Sequence, residues 1–308
     1  MTTTTFDRGS SAVPTFRQML NKVPEVTAYF WLIKVLCTTV GETAADLLNE
    51  NLGLGLTNTT YIMGALLVAA LVAQFRLRRY VPSVYWLAVV LISIVGTLIT
   101  DNLTDNLGVS LVVTTVAFSI VLSVVFAVWW ASERTLSIHT IFTRRREAFY
   151  WLAVLFTFAL GTAAGDLAAE RIALGYFPSA LMFGGMIAAV AVAHFRFKLN
   201  AVLSFWLAYI LTRPLGASIG DWMSQPRGDG GLALGTVVTS VLFLGLIVAV
   251  VAFLSATRKD ETPAQDVSPE ELKPHLHMPH PHMPHPHVPH PHLPEVRVVP
   301  PKTAGDEA

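Results

Sequence analysis

The 308-residue chain is 53% apolar and only 14% charged, with 21 basic residues balanced by 21 acidic ones. That composition excludes a soluble, highly charged domain, and the basic residues flank apolar stretches rather than forming the patch a nucleic-acid binder needs. The single cysteine, Cys37, excludes an internal disulfide and reads as an intramembrane packing residue.

Residues 1–22 form an N-terminal arm that lacks the apolar core and small-residue cleavage site of a signal peptide. Eight apolar segments follow, at about 24–48, 57–75, 82–104, 109–131, 149–170, 176–195, 200–222 and 232–256. Each is near the roughly 20 residues a bilayer span requires. Beyond residue 258 the sequence turns acidic and proline-rich, then runs into Pro-His pentads carrying His275, His277, His280, His282, His285, His287, His290 and His292. Proline at this density opposes helix and favours extended segments, so residues 259–308 are expected to form a disordered cytoplasmic tail.

One framework recurs four times in the apolar region: Trp-Leu, eight residues, Gly, four residues, Asp. The copies are Trp31/Gly41/Asp46, Trp86/Gly96/Asp101, Trp151/Gly161/Asp166 and Trp206/Gly216/Asp221, with tryptophan spacings of 55, 65 and 55. Ala73-Gln74-Phe75-Arg76 and Ala193-His194-Phe195-Arg196 recur at matching offsets. Every framework span enters from the same side, so the repeats are parallel. The expected fold is an all-α polytopic membrane protein of eight transmembrane helices. Its four helical-hairpin repeats (about 23–80, 81–140, 147–199 and 200–258) make a pseudo-fourfold or nested pseudo-twofold bundle.

Of the 21 basic residues, 17 lie in the terminal arms or in the connections after even-numbered spans. The positive-inside rule then places both termini in the cytoplasm and the acid-bearing ends of the odd spans outside. Tryptophan near the cytoplasmic end fits an interfacial anchor, and glycine in the outer half allows close helix approach. These features resemble a bacterial membrane-protein family of four tandem two-helix repeats sharing a tryptophan, whose members carry the label uncharacterised membrane-anchored protein. The resemblance covers about residues 22–258 and implies the architecture and an inner-membrane location. It is silent on activity.

The residues best suited to chemistry are the framework acids Asp46, Asp101, Asp166 and Asp221. Glu50, Asp105, Glu170 and Gln225 follow four positions later, where an α-helix would place them on the same face. Glu42 is the deepest acid and has no acidic counterpart, its equivalents being Thr97, Thr162 and Ala217. Lys34 and Arg213 are intramembrane cations, and such groups need partners because insertion costs about 2.5–3.5 kcal/mol each. On their own helices the nearest acids are Glu42 and Asp221, two turns away.

Two readings of the acids stand side by side. They converge on a central cavity, or they sit at the outer water boundary and solubilise short loops. Convergence leads to a secondary transporter, foremost an exporter of a hard divalent cation such as Mn²⁺ held by carboxylate oxygens. Proton-coupled transport of a small solute and a non-transporting scaffold or regulator are the alternatives. No enzyme is expected. Ala163-Ala164-Gly165-Asp166 and Ser218-Ile219-Gly220-Asp221 approach a Gly-x-Gly-Asp protease signature but lack its first glycine. No resident cofactor is expected; the partners are the bilayer and a transported ion or solute. The tail imidazoles suit loose binding of Zn²⁺, Ni²⁺, Co²⁺ or Cu²⁺. His139 and His194 read as lone membrane-edge residues.

Overall fold

The structure is a computed structural model that describes residues 22–260. Eight long helices make up this region: α1 (Ala28–Asp46), α2 (Leu56–Arg76), α3 (Pro82–Asp101), α4 (Leu111–Glu133), α5 (Arg144–Asp166), α6 (Tyr176–Phe197), α7 (Ala201–Ser224) and α8 (Gly235–Thr257). Their starts follow local chemistry. Thr27, Ser110, Thr143 and Asn200 cap α1, α4, α5 and α7 by accepting backbone N–H bonds, and Pro82 opens α3.

Seven of the eight helices are long and apolar enough to cross a membrane. The exception is α1, which carries Lys34, Glu42 and Asp46 along with a run of threonines. Lys34, Glu42 and those threonines are buried inside the protein, so lipid does not meet them. Burial separates inner helices from outer ones. The apolar windows of α3, α5 and α7 are 78, 61 and 56% buried, against 22, 22, 11 and 22% for α2, α4, α6 and α8. The outer helices present Val112, Val116, Leu181, Val241 and similar side chains outward, as a lipid-facing sheath requires.

The inner helices α1, α3, α5 and α7 close into a ring, and two side-chain circuits show it. A Cβ added at Gly41 would sit 2.5 Å from the Ser93 Cβ, at Gly96 2.8 Å from the Phe158 Cβ, at Gly161 2.5 Å from the Arg213 Cγ, and at Gly216 2.6 Å from the Thr38 Cβ. Each framework glycine thus meets the residue three positions before the glycine of the next repeat, and the fourth returns to the first. The second circuit is aromatic. Phe30 packs on Trp86 (5.6 Å between centroids), Tyr85 on Trp151 (5.4 Å), Tyr150 on Trp206 (6.3 Å) and Phe205 on Trp31 (5.7 Å). The bundle is therefore pseudo-fourfold.

The hairpins pack mainly on their neighbours rather than on themselves. Each outer helix leans on the inner helix of the following repeat: α2 on α3, α4 on α5, α6 on α7, and α8 back on α1. Neighbouring repeats interlock, so the apolar face of one repeat is completed by the next.

Tryptophan does not serve as the expected interfacial belt. Trp86, Trp151 and Trp206 are only 1, 4 and 4% exposed, and Trp31 is half-buried. The reason is the residue before each one. Phe30, Tyr85, Tyr150 and Phe205 make every tryptophan part of an aromatic doublet, with adjacent rings 5.1–5.2 Å apart. Eight rings at one level fill the ring's interior at what is here termed the Trp end.

Candidate functional site

At the opposite, Asp end, the first three inner helices finish in the same way. Directly after Asp46, Asp101 and Asp166 the helix widens to i→i+5 hydrogen bonding, over Leu47–Asn51, Asn102–Asn106 and Leu167–Arg171. The closing bonds run from Leu52 N–H to the Leu47 carbonyl (3.0 Å), Leu107 to Asn102 (3.1 Å) and Ile172 to Leu167 (3.0 Å). Wide turns of this kind often mark functional sites. They also remove the α-helical spacing on which the expected two-tiered acid patch depends, since four residues no longer make one turn. Asp105 is exposed to solvent. The side chains of Glu50 and Glu170, like the tail histidines, lie outside the described residues. In the fourth repeat α7 continues to Ser224, and only there does the partner four positions on, Gln225, keep α spacing, its N–H bonding the Asp221 carbonyl at 2.8 Å.

The framework acids of different repeats share one electrostatic neighbourhood. Asp101 lies within electrostatic reach of Glu42, Asp166, Asp46 and Asp105, and Asp221 within reach of Glu42, Asp46, Asp166 and Arg213. Asp221 is 9% exposed and Glu42 7%, while Asp46, Asp101 and Asp166 are half-buried. The acids form an electrostatic cluster and not a coordination sphere. Among the described residues no three His, Cys, Asp or Glu side chains stand close enough to hold one metal ion.

Beneath the cluster lies a buried ion pair between α1 and α7. Arg213 Nη2 meets Glu42 Oε2 at 2.7 Å, with side chains 0 and 9% exposed. Nη2 also donates to the Thr97 hydroxyl of α3, and Nη1 donates to the Thr38 carbonyl at 3.3 Å. Arg213 thus finds its acid on the neighbouring inner helix, not along its own. The symmetry positions explain how. Arg213 is the residue that meets Gly161, its equivalents being Thr38, Ser93 and Phe158. Glu42 follows Gly41, and its equivalent one repeat on is Thr97.

Lys34 is resolved differently. Its side chain is buried at 1% exposure, and Nζ stands 3.9 Å from the Phe158 ring centroid and 4.2 Å from that of Tyr209. Among the described residues Nζ has no hydrogen-bond partner. Two aromatic faces replace the carboxylate that spacing along α1 suggests, as ring quadrupoles can for a cation. Cys37 is buried nearby and free, in the packing role expected of it.

A latch at the Trp end was not legible from spacing. Lys22 Nζ meets Glu147 Oε2 at 2.6 Å with both buried, and also donates to the Phe75 carbonyl at 3.3 Å. Gln74 Nε2 donates to the Lys22 carbonyl and to Glu147 Oε1, each at 3.5 Å. Beside it the Tyr80 hydroxyl donates to Asp260 Oδ2 at 2.6 Å, and the Glu25 N–H bonds the Asp260 carbonyl at 2.9 Å. Burial, followed by that bond to Asp260, raises the Tyr80 hydroxyl above its ordinary pKa, so it stays a donor at neutral pH. The segment before α1, the ends of α2 and α8 and the start of α5 are held together here. A signal existed in Glu147, an acid in the arginine-rich start of a membrane helix.

A ring of four inner helices, closed by aromatics at one end and crowned by acids at the other, within an apolar sheath, defines a multi-pass α-helical membrane protein of tandem two-helix repeats. The chain belongs to the family described as Repeat of Unknown Function (DUF347), whose model matches residues 29–80, 84–135, 149–200 and 204–260. No curated protein and no solved structure matches it.

Proposed function

We propose that this chain is a secondary transporter that couples protons to the movement of a small solute through its inner ring. The observation that supports this reading is the gathering of Glu42, Asp46, Asp101, Asp166 and Asp221, from all four repeats, within one electrostatic neighbourhood. Crowded carboxylates relieve their repulsion by taking up protons or by admitting a cation. Glu42 is the natural switch. Empty, it pairs with Arg213; a proton or cation reaching it frees the guanidinium and loosens the seam between α1 and α7. Such alternation is what a two-state carrier needs. The lone acid of an otherwise symmetric position then sets the direction of the cycle.

Efflux of a divalent cation is the second reading, favoured by the carboxylate and hydroxyl oxygens that hard ions prefer. It stands second because, among the described residues, no three acids are grouped for a metal in this conformation. The test is proton flux into proteoliposomes loaded with a pH-sensitive dye, driven by Mn²⁺ or by a panel of small organic solutes. Asp101→Asn and Asp221→Asn are each expected to cut substrate-driven proton flux by about tenfold or more, the scale of losing one proton-transfer group. Flux unchanged in both variants rejects proton coupling, and flux driven by Mn²⁺ alone promotes the metal reading.

On this reading, with the Trp end cytoplasmic, the Lys22–Glu147 latch and the aromatic doublets are the closed inner gate. The only cysteine reports on it, because Cys37 is fully buried. Glu147→Gln is expected to raise N-ethylmaleimide labelling of Cys37 several-fold in inside-out vesicles. Labelling that stays at the wild-type level removes the gate from the proposal.

A further inference from the structure

Two features of the sequence have no part in the acid cluster: the ten additional residues between the second and third repeats, and the two histidines outside the tail. They meet in one place. A cleft of about 650 Å³ opens between α6 and α7, with Trp31 of α1 at its back. Its walls are apolar, including Ile187, Val190, Ala191, Val202 and Phe205, and its polar lining includes His139 and His194. The size falls within the 300–1,000 Å³ range of ligand sites, and a mainly apolar pocket with a few polar groups is their usual composition.

The extra residues build one wall. The connection after α4 is not a loose loop. Trp206 Nε1 donates to the Leu136 carbonyl at 2.9 Å, Ile138 is buried, and Arg146 Nη1 donates to the Thr140 carbonyl at 2.9 Å. That places Ser137, Ile138 and His139 against the cleft. The cleft also explains departures from symmetry in the aromatic layer, where Phe205 is half-buried and its equivalents Phe30, Tyr85 and Tyr150 are buried. Trp31 is half-buried where its three equivalents are buried, because it lines this space. At the rim, His194 Nδ1 donates to the Leu199 carbonyl at 3.0 Å, which leaves Nε2 as the ring nitrogen not engaged by that bond. Arg196 and Lys198 follow immediately and are exposed.

We infer that this cleft binds an anionic phospholipid of the leaflet at the Trp end, one acyl chain against the apolar walls and the phosphate at the His139 and His194 rim, with Arg196 and Lys198 exposed at the same end of α6. Charge complementarity selects this occupant. A free anion has no use for the apolar walls, and a neutral lipid none for the basic end of α6. The inference does not depend on the transport reading.

The experiment is native mass spectrometry of the full chain released from bilayers of phosphatidylcholine and phosphatidylglycerol. One tightly retained phosphatidylglycerol per chain is expected. Ala191→Trp, which fills the cleft, is expected to abolish retention. His139→Ala combined with His194→Ala should keep a bound lipid but lower the preference for phosphatidylglycerol about fivefold or more, the effect of removing basic groups beside a phosphate. Quenching by brominated phosphatidylglycerol that disappears in Trp31→Phe supports the site without relying on the cleft-filling variant. Retention in Ala191→Trp equal to wild type, quenching unaltered in Trp31→Phe, or displacement of the lipid by soluble glycerol phosphate overturns the inference.

Discussion

Replacing Arg213 with alanine is expected to destabilise the membrane domain by about 3–5 kcal/mol, the usual cost of stranding one member of a buried ion pair. Glu42, 7% exposed in the intact protein, would keep the hydrogen bond it accepts from the Thr97 hydroxyl at 3.5 Å but not its charge partner. The guanidinium also spans three inner helices, reaching Glu42 and Thr38 of α1 and Thr97 of α3 from α7. Its loss therefore loosens the α1–α7 seam and removes a tie across the ring to α3 at once. Glu42→Gln alone strands the buried guanidinium instead and is expected to cost a comparable amount, reduced only by the amide oxygen that Gln keeps as an acceptor. The double variant Glu42→Gln with Arg213→Met is expected to recover most of the stability while losing transport. Denaturant titration in mixed micelles reads the first effect, and the proton-flux assay the second. A double variant no more stable than Arg213→Ala would mean that the pair holds the fold by more than charge compensation.

The second large effect is expected at the glycine circuit. Gly216→Val should cost about 1–3 kcal/mol or more, the range for overpacking a close-packed site. A Cβ there meets the Thr38 Cβ at 2.6 Å and the Thr38 backbone carbon at 3.0 Å, so α1 and α7 must separate. Gly165 is the internal control. A Cβ at that position meets Pro214 at 3.5 Å and Ala217 at 3.8 Å, which is ordinary contact. Gly165→Ala is therefore expected to be neutral or stabilising, given the roughly 1 kcal/mol by which alanine exceeds glycine in helix propensity. Because Gly216 and Arg213 share the α1–α7 seam, their effects should not add. Equal losses at Gly165 and Gly216 would show that the close approach at Gly216 carries no particular energy.

The aromatic layer and the latch show where reading the sequence stops. The doublets Phe30-Trp31, Tyr85-Trp86, Tyr150-Trp151 and Phe205-Trp206 are visible in the chain, but tryptophan alone suggests an interfacial anchor. The preceding ring turns it into core, because two adjacent large aromatics on an inner helix fit only where neighbouring helices supply facing rings. The wide turns after Asp46, Asp101 and Asp166 likewise defeat an argument from α-helical spacing. Periodicity assumes 3.6 residues per turn and has no means of detecting where the backbone abandons it.

By itself the amino-acid sequence determined the membrane class, the four two-helix repeats and the identity of the framework acids. All of these are local or periodic properties, carried by hydropathy over about 20 residues and by fixed offsets within each copy. Only the tertiary structure decided which side chains meet. Glu42 and Arg213 are 171 positions apart, Lys34 is answered by rings from α5 and α7, and each outer helix packs on the next repeat rather than its own partner. Such pairings follow from the closure of four similar helices into a ring, where the contacts of one repeat are completed by another and no single copy contains them.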